Sequence, residues 1–115
     1  LAGPADPSIG RALAQMHQRP SHPWTLDELA DVACLSRSSL AERFPRYLRQ
    51  GPMAYLTDWL LELAAESLRN TSRSVLQIAT EVGYDSEAAF NRAFKRRFSV
   101  PPARYRKTWR EVAQP

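Results

Sequence analysis

Apolar residues recur along the chain at the three- and four-residue spacing of amphipathic helices, and polar residues that can start a helix stand in front of these runs. Thr25 with Glu28, and Ser74 with Gln77, fit the capping box that opens a helix. Ser8 is expected to cap an earlier helix. The pattern predicts about seven helices and no strand, which places the chain in the all-α class.

The middle of the chain is expected to form one long helix. The stretch 53–69 contains neither glycine nor proline and is rich in Leu, Ala and Glu. The helix before it is expected to start at Ser36 and to kink or stop near Phe44, because Pro45 has no backbone N–H and clashes with the preceding turn.

Two parts of the chain repeat each other. The pair Leu29-Ala30 aligns with Ile78-Ala79 at a spacing of 49, and the segment from Ser36 to Tyr55 aligns with the segment from Ser86 to Tyr105 at a spacing of 50. Each copy is a short capped helix, a turn and a second capped helix, which is helix-turn-helix organisation. A stacked helical repeat of the protein-binding kind is disfavoured, because two copies separated by a long helix cannot form a solenoid.

The expected architecture is therefore two helix-turn-helix subdomains joined by a long linker helix. The segments, in order, are a linker or the truncated end of an upstream domain at 1–7, the first subdomain at 8–51, the linker helix at 52–70 and the second subdomain at 71–112.

Charge points to an anionic partner. Lys and Arg number 16 against 12 Asp and Glu, giving a net charge of +4, and basic residues crowd the last quarter of the chain. A phosphate backbone and an acidic membrane surface both attract such a protein. No apolar stretch approaches the roughly 20 residues that span a bilayer, so no membrane association is expected.

The sequence offers little chemistry for catalysis. Cys34 is the only cysteine and two histidines are scattered, so neither a disulfide nor a metal site nor any cofactor is expected. Cys34 is interpreted as a packing residue. Because no nucleophile, metal set or phosphate loop is recognisable, we do not expect an enzyme.

Several sequence blocks point to one known family. They are Pro23-Trp24-Thr25-Leu26, Leu29-Ala30, Leu35-Ser36-Arg37-Ser38, Pro52-Met53-Ala54-Tyr55-Leu56, Ile78-Ala79, Val82-Gly83-Tyr84, Phe90-Asn91-Arg92-Ala93-Phe94-Lys95 and Pro101-Pro102-Ala103-Arg104-Tyr105-Arg106. Through these blocks the chain, from about Asp6 to Arg110, resembles the AraC/XylS family of transcription regulators. The resemblance implies two recognition helices in successive major grooves, and an effector-binding or dimerisation domain upstream that this sequence does not include.

The chain departs from the family pattern at five positions. Relatives often have a basic residue where Glu42 stands and glycine where Arg49 and Ser99 stand, and we expect Gly51 to take over the first of these two turns. Asp58 and Leu60 stand near positions where relatives usually show arginine, so the long helix is interpreted as a spacer.

Steps of 100° per residue along each second helix separate a core face from an outward face. In the second subdomain, Asn91 is expected to read adenine, Arg92 guanine and Ala88 a thymine methyl, with Lys95 and Arg96 on phosphates. The rest of the late basic cluster is also expected to neutralise phosphates. It consists of Arg97, Arg104, Arg106, Lys107 and Arg110. Glu42 in the first subdomain is expected either to accept a hydrogen bond from a cytosine amino group or to pair with Arg46. The full set of expected DNA contacts is Arg37, Ser38, Ala41, Glu42, Arg46, Glu87, Ala88, Asn91, Arg92, Lys95 and Arg96.

The expected function is sequence-specific binding of double-stranded DNA at a promoter operator. The protein is expected to be an activator of bacterial transcription that works with RNA polymerase. Its expected location is the cytoplasm, on the nucleoid. The alternative is a helical protein–protein interaction module on the same scaffold, which Glu42, Pro45 and Asp58 favour.

Overall fold

The computed structural model describes residues 6–113, and these residues form helices and connecting turns without a strand. The seven helices are α1 (Pro7–Gln18), α2 (Leu26–Ala33), α3 (Arg37–Leu48), α4 (Pro52–Asn70), α5 (Val75–Glu81), α6 (Glu87–Phe98) and α7 (Pro102–Ala113). The all-α fold class is confirmed. No helix among these residues is long and apolar enough to cross a membrane.

The structure divides into two compact units between Thr57 and Asp58, inside α4. In the first unit α1 packs on α2 and α3, and α2 packs on α3. The buried side chains of this unit come from all three helices, from the turn before α2 and from the first turns of α4. They are Ile9, Ala12, Met16, Trp24, Leu29, Ala30, Ala33, Leu40, Phe44 and Leu56.

The second unit is built around an aromatic row on α6 and α7. Phe90 and Phe94 of α6 are fully buried, with ring centroids 5.7 Å apart, and Tyr105 of α7 packs edge-on against Phe94 at 5.3 Å. Leu61, Ala64, Ala65 and Leu68 of α4 and Ile78 and Ala79 of α5 complete the core. Burial of the Phe90 and Phe94 rings fixes which face of α6 remains exposed.

Both units carry the same turn between their paired helices. The backbone N–H of Leu35 donates to the carbonyl of Ala30 at 2.9 Å, and the N–H of Tyr84 donates to the carbonyl of Ala79 at 2.9 Å. One residue before each donor the backbone is left-handed, with φ 59° at Cys34 and φ 91° at Gly83. The turns therefore correspond at the spacing of 49 that the sequence predicts for this part of the repeat.

The helix starts agree with the sequence except in α1. The capping boxes at Thr25 and Ser74 are both present, and Ser36 and Ser86 cap α3 and α6. The expectation that Ser8 caps α1 is wrong. Asp6 caps it by accepting a hydrogen bond from the Ser8 N–H at 3.0 Å.

Asp6 is more than a helix cap, because it also anchors α3. Its carboxylate is buried and accepts two hydrogen bonds from the Arg43 guanidinium, one of them at 2.9 Å from Nε. These hydrogen bonds hold the pKa of Asp6 below its ordinary value, despite a smaller opposing effect of burial. The first five residues of the expected linker lie outside the described residues.

The expectation that this helix could stop near Phe44 is also wrong, because α3 continues through Pro45 to Leu48. Proline removes a single backbone donor here, and its own carbonyl still accepts from the Arg49 N–H at 2.8 Å. Arg49 then ends the helix in the left-handed conformation, with φ 64°, so Gly51 does not take over this turn. Ser99 ends α6 in the same way, with φ 73°.

Candidate nucleic-acid interface

The outward face of α6 is basic. Arg92, Lys95 and Arg96 are exposed on the side of the helix opposite the buried Phe90 and Phe94. None of these three cations forms an ion pair with any residue between 6 and 113. Their charge is therefore available to an external anion.

The N-terminal end of the same face carries smaller and acidic groups. Glu87 and Ala88 are exposed in the first turn of α6, directly after the Ser86 cap. In a helix-turn-helix, these first turns are the part of the recognition helix that reaches base edges. Arg96 lies at the other end, near Tyr84, where its positive charge partly offsets the rise in the pKa of the phenol that burial causes.

Asn91 differs from its expected placement. Its side chain is half-buried rather than fully outward, and its Oδ1 is covered without accepting a hydrogen bond from any described residue. Paired hydrogen bonds to adenine need both the oxygen and the nitrogen of the amide. A role for Asn91 in reading adenine therefore requires the amide to turn outward.

Arg97 belongs to the structure of the second unit rather than to the basic face. It lies at the surface beside two carboxylates of α4. Its guanidinium donates to Glu62 Oε2 at 2.8 Å and lies 3.7 Å from Asp58 Oδ1. Asp58, where relatives usually show arginine, thus ties α4 to α6.

Two arginines of α7 are likewise engaged within the protein. Arg106 donates to the carbonyls of Leu68 and Thr71, and Arg110 donates to the carbonyl of Thr71 at 2.9 Å. These carbonyls lie at the C-terminal end of α4, where backbone acceptors have no partner inside the helix. Burial, and the charge of Arg110, lower the pKa of Arg106. The expectation that the whole late basic cluster serves phosphates is therefore too broad. Arg104 and Lys107 are its members on α7 that are exposed and form no hydrogen bond or ion pair with the described residues.

The outward face of α3 is nearly neutral. Arg37 pairs with Asp27 at 3.1 Å, and Glu42 pairs with Arg46 at 3.5 Å, one helical turn away. Ser38 and Ala41 are exposed between these charges. The expected Glu42–Arg46 pair is present. With its side chain 71% exposed, Glu42 is also accessible to a partner molecule.

Cys34 does not pack in the core. It is exposed at the left-handed position of the first turn. Alignment of the two copies places it over Gly83, the residue type that adopts this conformation without strain. The repeat thus contained the signal that the packing interpretation missed. Among the described residues there is no group of three or more His, Cys, Asp or Glu that could hold a metal ion.

The fold and the exposed faces together define a class of protein. Each unit presents the second helix of a tight helix-turn-helix, with its aromatic face buried and its polar face outward. This arrangement is that of a double helix-turn-helix nucleic-acid-binding module.

Comparisons with known proteins agree with this class. A family model described as a helix-turn-helix domain matches residues 29–108. A putative AraC-like transcription regulator of Streptomyces lividans is 50% identical over 107 residues, covering 93% of this chain and 35% of that protein. The chain thus spans about a third of the length of this curated relative.

Solved structures show the same fold. An AraC-type regulator of Chromobacterium violaceum superposes with a TM-score of 0.85 at 28% identity, over 95% of each chain. The DNA-binding domain of AdpA, in complex with a target DNA, superposes with a TM-score of 0.87 at 24% identity, over 92% of this chain and 96% of that one. This chain belongs to the AraC-type helix-turn-helix family. These relatives are named for DNA binding or transcription regulation and not for catalysis, in agreement with the expectation from the sequence.

Proposed function

We propose that this chain is the DNA-reading part of a transcription regulator and that α3 and α6 each enter a major groove of double-stranded DNA. The observation that carries the proposal is the exposed face of α6, where Arg92, Lys95 and Arg96 have no counter-charge among residues 6–113. A major groove about 12 Å wide accepts one helix, with side chains from its N-terminal turns on base edges and cations at its flanks on phosphates.

The exposed faces of α6 and α3 make different contacts with DNA in this proposal. On α6, Arg92 presents two parallel donors suited to guanine, while Lys95 and Arg96 neutralise phosphates. Glu87 and Ala88 lie beside the base edges at the start of the helix. On α3 the corresponding contacts come from Arg37, Ser38, Ala41, Glu42 and Arg46.

Partners beyond DNA are proposed from the length of a relative and from the proposed role in transcription. The chain covers 35% of its Streptomyces lividans relative, and the remaining length of that protein leaves room for an effector-binding or dimerisation domain. Contact with RNA polymerase and a location on the nucleoid follow from the proposed role in transcription.

Titration by fluorescence anisotropy tests the proposal. A duplex enriched from a random-sequence library should bind this chain more tightly than a scrambled duplex of the same composition, and more weakly as salt rises. The double substitution Arg92→Ala and Lys95→Ala should weaken binding and reduce this preference at least tenfold while the helical circular dichroism spectrum is retained.

Arg97→Ala is the matched control, because Arg97 also lies on α6 but is paired with α4 carboxylates. It should leave the preference intact. Absence of binding, or equal and salt-insensitive binding to both duplexes, would contradict DNA reading and favour the alternative of a protein-interaction module.

A further inference from the structure

The two recognition helices carry opposite charges at the same position of the repeat. Leu40 and Phe44 of α3 align with Phe90 and Phe94 of α6, and all four side chains are fully buried. Glu42 and Arg92 lie at the same step between these anchors. Both helices also begin at a serine cap one residue before their first helical position, so Glu42 and Arg92 occupy the sixth helical position of α3 and α6.

The shared placement gives both side chains the same access to DNA. Glu42 and Arg92 are exposed on the face opposite the buried anchors. A guanidinium there recognises guanine, which presents two acceptors in the major groove, whereas a carboxylate can only accept a hydrogen bond, which cytosine offers from its amino group. We infer that Glu42 selects cytosine in the first half-site at the position where Arg92 selects guanine in the second. This inference rests on the proposed function.

The surroundings of Glu42 fit a base contact better than a phosphate contact. A carboxylate beside phosphates is repelled, and a hydrogen bond from a base donor would offset this repulsion. Arg46 lies 3.5 Å away with its side chain 63% exposed, so the pair is solvent-exposed and weak enough to open when cytosine approaches. Arg37, in the first turn of α3, is already paired with Asp27.

Substitutions at position 42 change the chemistry of recognition in a predictable direction. Glutamine offers a donor and an acceptor that fit adenine, and arginine fits guanine. Selection from a random-sequence duplex library, followed by sequencing, should show one position that changes from cytosine in the wild type to adenine in Glu42→Gln and to guanine in Glu42→Arg. Anisotropy with duplexes that differ only at this position should show a discrimination of about tenfold in each case.

One further variant tests which recognition helix reads the position, and a second tests whether a change of charge alone alters the selected sequence. Arg92→Ala should relax a guanine in the other half-site and leave the Glu42-dependent position unchanged. Glu66→Arg makes the same change of charge at an exposed position of α4, and it should leave the selected sequence unchanged.

The outcomes separate this inference from the proposed function. If the wild type selects a sequence but Glu42→Gln and Glu42→Arg select the same bases as the wild type, the assignment of Glu42 is overturned. The same holds if Glu42→Ala binds every duplex more tightly with unchanged selectivity, since Glu42 then only repels phosphate. If the wild type selects no sequence, the proposed function fails, and this inference fails with it.

Discussion

The basic residues of the second unit differ in whether they have a partner within the protein, and this difference predicts how salt affects DNA binding. Lys95 and Arg96 have no carboxylate partner among the described residues, whereas Arg97 is held by Glu62 and Asp58 at 2.8 and 3.7 Å. Each phosphate neutralised in duplex DNA contributes about −0.9 to the slope of log K against log salt concentration. Removal of two phosphate contacts should therefore make the slope shallower by about 1.8.

The absolute slope can be bounded from the same residues. Apart from Arg92, which is assigned to guanine, four exposed cations of α6 and α7 form no hydrogen bond or ion pair with the described residues: Lys95, Arg96, Arg104 and Lys107. Contact of each with a phosphate gives a slope near −3.6 for the wild type and about −1.8 for the double variant Lys95→Ala, Arg96→Ala.

Anisotropy titrations of one selected duplex over a series of salt concentrations measure both slopes. Arg97→Ala should keep the slope of the wild type, because its guanidinium is engaged by α4. If Arg97→Ala and the double variant reduce the slope equally per charge removed, the basic residues of α6 act as a diffuse charge, whether or not they are paired within the protein. An unchanged slope in the double variant would show that α6 does not contact phosphates. Either result would refute the division into paired and available cations.

Three further predictions concern stability. Ser99→Gly should raise the free energy of unfolding by about 1 kcal/mol, because glycine adopts φ 73° without strain. A lower midpoint of urea unfolding would contradict this. Phe94→Ala should lower the free energy of unfolding by about 3 to 5 kcal/mol, because the ring is fully buried. Urea unfolding measures this change, and a loss below about 1 kcal/mol would argue against this core. Asp6→Asn should destabilise the protein at neutral pH and to a smaller extent at about pH 3. A carboxyl with a lowered pKa stabilises the fold fully above its unfolded pKa of about 3.9, and this stabilisation is lost as pH falls through the folded pKa. Equal destabilisation of Asp6→Asn at both pH values, measured by urea midpoints, would contradict this role of the pair with Arg43.

Local signals predicted most of the helical framework. The capping boxes at Thr25 and Ser74 fix two helix starts through contacts within four residues, so the sequence alone contains them. The buried faces of α3 and α6 follow from helical periodicity for the same reason. The helix caps and the buried faces each depend on residues that are close in sequence.

The features that escaped prediction depend on distant partners or on backbone conformation. Arg106 and Arg110 were assigned to phosphates because their carbonyl partners lie 35 to 39 residues away in sequence. Asp6 was assigned to a linker because its partner Arg43 is 37 residues away. Cys34 was assigned to the core because a small apolar residue near a helix end suggests packing, whereas the left-handed turn exposes it.

The two units show which parts of a helix-turn-helix are fixed by folding and which are free for recognition. Positions that fold the unit are matched in both copies: the buried pairs Leu40 with Phe90 and Phe44 with Phe94, and the left-handed ends of both second helices. A charge introduced at either of the buried pairs would be an unpaired ion in the core, at a cost of several kcal/mol. On the exposed face a change of charge costs the fold almost nothing. Glu42 can therefore stand where the other copy has Arg92 without loss of the scaffold, and the second helices of the two units carry opposite charges at matched exposed positions.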